Sequence, residues 1–89
     1  MYSEETTVVN ATGLHARPAA TFSKAAAKFA SDVQIGKAEG DTTVNAKSML
    51  ALMSQGLSCG TKVRISADGA DEQEAVKALV EVINSGCGE

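Results

Sequence analysis

A chain of 89 residues, 44% of them apolar, has room for one domain with a modest core, and none for a second. A net charge of −3, no tryptophan, one tyrosine and two phenylalanines leave neither the positive balance nor the aromatic platforms of a nucleic-acid binder. The acidic start Met1-Tyr2-Ser3-Glu4-Glu5 is unlike a signal peptide and no apolar run reaches membrane-spanning length, so a cytoplasmic protein with no membrane partner is expected.

Thr6-Thr7-Val8-Val9 is rich in β-branched residues and predicts a first strand, closed by the loop formers Asn10 to Gly13. Then comes Gly13-Leu14-His15-Ala16-Arg17-Pro18-Ala19, which holds the only histidine and the only proline of the chain beside Arg17. Proline is tolerated in the first turn of a helix, where its missing N–H would have no partner anyway, so a helix starts close to His15. Ala19, Phe22, Ala26 and Phe29 recur at helical spacing and face a core, leaving Lys24 and Lys28 in water.

That placement has chemical consequences. The first-turn N–H groups of a helix lack intrahelical partners and carry the positive end of its dipole, a field of about 0.3–1 kcal/mol that disfavours a neighbouring cation and favours an anion. An imidazole there is favoured neutral, and hence as a nucleophile. A phosphoryl group on His15 would find the N–H groups of Ala16 and Arg17, and the Arg17 guanidinium could add charge-assisted bonds. A histidine at a helix start also serves as a simple cap or surface residue, and only its neighbours tell the cases apart.

Ser31-Asp32 breaks the helical pattern, and Val33-Gln34-Ile35 alternates as a second strand. Gly36 to Asp41 is a polar turn and Thr42-Thr43-Val44 a short third strand in a hairpin with the second. Ser48 is placed to cap, and Gly56 to stop, a short helix. Met49, Leu50, Leu52 and Met53 spread around it, so they cannot all turn inwards. Leu52 is assigned to the core. Met49, Leu50 and Met53 suit either core filling or an adaptable docking patch. Cys59 and Cys87 form no Cys-x-x-Cys pair and have no histidines at ligand spacing, so free thiols and no metal site are expected. Lys62 to Ala67 alternates as a fourth strand. Asp71 with Glu74 predicts a capping box for a last helix carrying Val76, Leu79, Val80 and Ile83, stopped by Gly86 and followed by a tail.

Three amphipathic helices and four strands predict an α+β domain over residues 1–89, with the helices on one face of the sheet. Gly-Leu-His-Ala-Arg-Pro-Ala and the segment around Ser48 resemble the HPr family, the histidine-containing phosphocarriers of the bacterial sugar phosphotransferase system, and the resemblance spans almost the whole chain. It implies an open-faced β-sandwich with a four-stranded antiparallel sheet, and a hairpin turn about two residues longer than is usual in the family, in a place that tolerates insertion. It implies that His15 accepts phosphoryl through Nδ1 from enzyme I and passes it to IIA components, with Arg17 orienting the phosphate. Ala16, Ala20, Thr21, Lys24, Met49, Leu50 and Met53 match partner-docking positions. Ser48 resembles the serine that HPr kinase/phosphorylase modifies in low-GC Gram-positive bacteria, although Ala46 and Met49 depart from its usual neighbours, and an N-cap serine needs no regulatory explanation.

No paired carboxylates, nucleophile elbow, phosphate loop or metal cluster is legible, so a phosphoryl carrier without cofactor, acting as a monomer, is expected rather than a free-standing catalyst. Two other readings compete. One is a regulatory interaction module in which Ser48 phosphorylation controls binding to a catabolite-control transcription factor. The other is a specialised carrier outside the main sugar uptake route, such as one serving dihydroxyacetone or nitrogen-related phosphotransfer.

Overall fold

Val63, Ile65 and Ala67 alternate with Lys62, Arg64 and Asp68, a period of two that gives a strand one apolar and one wet face. In the computed structural model, which describes residues 1–9, 13, 17–40 and 42–86, this segment is the fourth strand. The elements in chain order are β1 (Tyr2–Thr7), α1 (Arg17–Ala27), β2 (Asp32–Lys37), β3 (Val44–Asn45), α2 (Met49–Ser54), β4 (Lys62–Asp68) and α3 (Glu72–Asn84). The sheet runs β1-β4-β2-β3 with every pair antiparallel.

Register decides what is covered. Val33 stands opposite Ala67 and Ile35 opposite Ile65, so both strands send these side chains to one side, where they are buried with Val63. The helices close that side. Ala19, Phe22 and Ala26 of α1, Leu52 of α2, and Ala75, Val76, Leu79 and Ile83 of α3 complete a single core. The other side of the sheet is polar. There Arg64 Nη2 donates to Glu5 Oε2 at 2.9 Å, and Lys62 Nζ lies 3.7 Å from Glu5 Oε1. The guanidinium foremost, and both positive charges, hold Glu5 below the usual carboxylate range. The fold is the expected α+β open sandwich.

Four local expectations are corrected. The first strand covers Tyr2–Thr7, not residues 6–9. None of its residues is fully buried: its inward side chains Tyr2, Glu4 and Thr6 lie at the sheet edge, where Tyr2 packs partly on the core and its hydroxyl donates to Glu4, and the Thr6 hydroxyl donates to Asn84 of α3. Polar residues are tolerated in an edge strand that a helix overlies and hydrogen-bonds. Val8 follows the strand, buried, and exchanges bonds with Thr61 and Gly60, whereas Val9 is exposed.

The third strand is Val44–Asn45, not residues 42–44. Gly36, expected in the turn, lies within β2, and the chain passes so close that a Cβ there would sit 2.3 Å from the Thr42 carbonyl oxygen. The ladder therefore resumes only at Val44. Helix α1 ends at Ala27, leaving Phe29 to pack on the core from the following turn. Finally, Asp71 occupies the N-cap position of α3 but makes no side-chain cap bond. Its carboxylate instead accepts the N–H groups of Ala30 and Ser31, each at 2.9 Å, and the Ser31 hydroxyl. Glu72, not Glu74, reaches back to the Gly69 N–H at 3.3 Å.

Candidate functional site

Helix α1 opens with Arg17, exposed, and Pro18, buried at the second position where no N–H is required. Its first turn has no acidic side chain, so nothing on α1 itself offsets the positive end of its dipole. His15 and Ala16, with Leu14, lie outside the described residues, as do Cys87 and Glu89. The described residues on either side of His15 in the chain are Gly13 and Arg17. Gly13 is buried with φ +70°, and a Cβ on it would lie 2.4 Å from the Leu57 carbonyl oxygen and 2.8 Å from Ser58 Cα. Only glycine fits that combination of backbone and space. In the sequence Gly13 reads as a loop former, and its close neighbours, more than forty residues away, leave no local signal.

Along α1, Ala20 and Thr21 are half-buried and Lys24 is exposed. Helix α2 packs against α1. Its first residues, Met49 and Leu50, are 41% and 81% exposed, Met53 is half-buried, and Leu52 is fully buried. Helix α2, whose first residues are this exposed apolar pair, thus lies against α1, the helix that carries Arg17, Ala20, Thr21 and Lys24. Leu52 takes the core assignment expected of it.

Ser48 is the N-cap of α2, its hydroxyl accepting the Ala51 N–H at 3.3 Å. Gln55 ends the helix, and Gly56 follows at φ +61°. The Ser23 hydroxyl of α1 donates to the carbonyl of Lys47 at 2.8 Å, so the residue beside Ser48 meets α1 at its middle. At 1.5 Å per residue, Ser23 is about 9 Å along the helix axis from Arg17. Among the described residues no group of His, Cys, Asp and Glu could hold a metal ion, and no helix is long and apolar enough to cross a membrane. Cys59 is a free, exposed thiol.

The family model for the PTS HPr component phosphorylation site matches residues 2–85. The chain belongs to the HPr family. It is 43% identical over 83 residues to the phosphocarrier protein HPr of Haemophilus influenzae, covering 93% of this chain and 95% of that one. The HPr structure from Thermoanaerobacter tengcongensis superposes with a TM-score of 0.93 at 48% identity, covering 100% and 98% of the two chains. Crh, the catabolite-repression HPr of Bacillus subtilis, is 45% identical with a TM-score of 0.75 over 96% and 95% of the chains. Similarity to HPr thus extends over the whole domain, well beyond the motif around His15.

Proposed function

We propose that the protein is a phosphoryl carrier that takes its group from phospho-enzyme I onto His15 and delivers it to IIA components. The observation that carries this reading is the match of residues 2–85 to the HPr phosphorylation-site family in a chain that keeps His15, Arg17 and Pro18. In the forward step the lone pair of the neutral imidazole at Nδ1 attacks phosphorus. The bond from phosphorus to the donor breaks as the P–N bond forms, and the negative charge of the phosphoryl oxygens is met by the start of α1. The N–H groups of Ala16 and Arg17 and the exposed Arg17 guanidinium are the donors assigned to those oxygens. Delivery to a IIA component reverses the step. No cofactor takes part, and the partners supply the remaining catalytic groups, so the protein is an intermediate of transfer and not a free-standing enzyme.

Docking is assigned to Ala16, Ala20, Thr21 and Lys24 with Met49, Leu50 and Met53. An exposed apolar pair on α2 and the exposed Lys24 on α1 suit a partner surface that is apolar at its centre and acidic at its rim. The domain, residues 1–89, acts as a cytoplasmic monomer. Ser48 is the proposed regulatory site, modified by HPr kinase/phosphorylase. A phosphate there would add about two negative charges at the start of α2, the helix assigned to docking.

The likeness to Crh favours a second reading, a regulatory module in which phospho-Ser48 governs binding to a catabolite-control transcription factor. The retained His15 argues against that as the sole role, since such a module needs no nucleophile. A specialised carrier outside the main sugar route would share the chemistry and differ only in its partners.

Labelled phosphoenolpyruvate with enzyme I separates these readings. The intact chain takes up an acid-labile phosphate and His15→Ala takes up none. Absence of label from several competent enzyme I preparations, with ATP-dependent modification of Ser48, would instead establish the regulatory module.

A further inference from the structure

Lys47 has no part in the transfer chemistry just proposed, yet its three polar groups are all engaged. Its N–H donates to Asn45 Oδ1 at 2.9 Å, its carbonyl accepts from the Ser23 hydroxyl at 2.8 Å, and its ammonium donates to the Phe29 carbonyl at 2.8 Å. Phe29 lies just past the last turn of α1, where the negative end of the helix dipole favours a cation. Lys47 therefore touches α1 at its middle and beyond its end, and Ser48 and α2 follow immediately.

Helix α2 needs such ties. Six residues are too few for a helix to be stable by itself, and only Leu52 of the six is fully buried. Leu52 and the half-buried Met53 anchor the rest of the helix on the core, while Met49 and Leu50, at its start, face solvent.

We infer that Lys47 is a positioning residue for partner docking: its ammonium and carbonyl hold the start of α2 against α1, so that the α1 and α2 side chains form one preformed surface. This rests on the carrier reading above. A preformed surface binds without a cost for ordering α2 at the moment of docking. Loss of the tie therefore weakens association with the partner and leaves the phosphoryl step, once docked, unchanged.

The test compares the intact protein with Lys47→Met, Lys47→Arg and Val76→Ala as the phosphoryl acceptor of enzyme I. Val76 is buried in α3 and serves as a purely destabilising control. Lys47→Met should raise KM roughly 3- to 10-fold with kcat unchanged, the scale of one ordinary part-exposed hydrogen bond. Lys47→Arg, which keeps a cation within reach of Phe29, should recover most of the loss. Val76→Ala should lower Tm without moving KM. An unchanged KM in Lys47→Met, or an equal rise in Val76→Ala, overturns the assignment. Hydrogen exchange at the Ala51 and Leu52 amides keeps this outcome separate from failure of the carrier reading. If the intact protein accepts no phosphoryl group at all, faster exchange in Lys47→Met but not in Val76→Ala still supports the positioning role, and unchanged exchange refutes it.

Discussion

Asp71 is the residue on which the junction of α1, β2 and α3 turns. Its carboxylate collects the Ala30 and Ser31 N–H groups and the Ser31 hydroxyl, and Ser31 is itself buried. The Ser31 hydroxyl first, and then the Ala30 N–H ahead of that of Ser31, hold Asp71 below the usual carboxylate range. A carboxylate so held binds its proton at a lower pH in the folded chain than in the unfolded one. Its stabilisation is complete above the ordinary aspartate pKa of about 3.9 and disappears as pH falls through the lower folded value. Asp71→Asn, which keeps one acceptor oxygen and loses the charge, should lower Tm by several degrees at neutral pH. Thermal melts from pH 7 to pH 2 should show the gap between the two proteins closing over the acid limb. A constant gap would mean that the charge is immaterial. Glu5 and Glu72, also held low, by Arg64 and by the Gly69 N–H respectively, titrate in the same direction in both proteins and do not affect the comparison.

At the scale of the element, α2 sets two leucines two residues apart in opposite surroundings. Leu52 is fully buried and Leu50 is 81% exposed. Leu52→Ala should cost about 2–5 kcal/mol, the usual range for a core leucine, and Leu50→Ala should stay within about 0.5 kcal/mol of the parent in urea unfolding. Leu50→Ala should nonetheless slow phosphoryl uptake from enzyme I at limiting carrier, because a docking side chain acts on association and not on folding. The sequence assigned Leu52 to the core and required some of the other apolar residues to be exposed, because a helix so rich in them cannot bury all, but it left open which of Met49, Leu50 and Met53 those were. Ser48 as N-cap, Gly56 beyond the C-cap, and the strand and helix patterns of β4 and α3 were legible, since each is a local rule satisfied by adjacent residues.

The misplacements share another cause. Glu4 and Glu5 hide β1 because, Tyr2 apart, its inward face is completed by hydrogen-bonded polar side chains and not by apolar packing. The capping-box expectation at Asp71 failed because a partner some forty residues away, Ser31, outcompeted the local one. The tie from Lys47 to Phe29 and the close approach of Gly13 to Leu57 are likewise contacts between distant segments, and no spacing announces them. His15, the proposed phosphoryl acceptor, lies outside the described residues and is singled out by its motif.

For the molecule as a whole, the sheet separates two surfaces of different character. The helix side carries the residues assigned to transfer and docking, while the outer side carries the Glu5, Lys62 and Arg64 ion pairs, exposed and hence of small energetic weight. Around the edge of that sheet the only tyrosine of the chain closes the seam between β1 and α3. Its hydroxyl donates to Glu4, which foremost holds the phenol above its usual range, and Lys77 Nζ stands 6.0 Å from the ring centroid. In a chain without tryptophan, that single ring dominates the near-ultraviolet spectrum. An alkaline absorbance titration should show one phenolate appearing later in the folded protein than in urea, and coincident curves would deny the Glu4 bond. At about 3.3 Å per residue, β1 places some 17 Å between Tyr2 and Thr7, so the ring reports on the start of the strand. The protein thereby carries a built-in optical probe of its N-terminal seam, whose signal should change when the first strand lets go of the last helix.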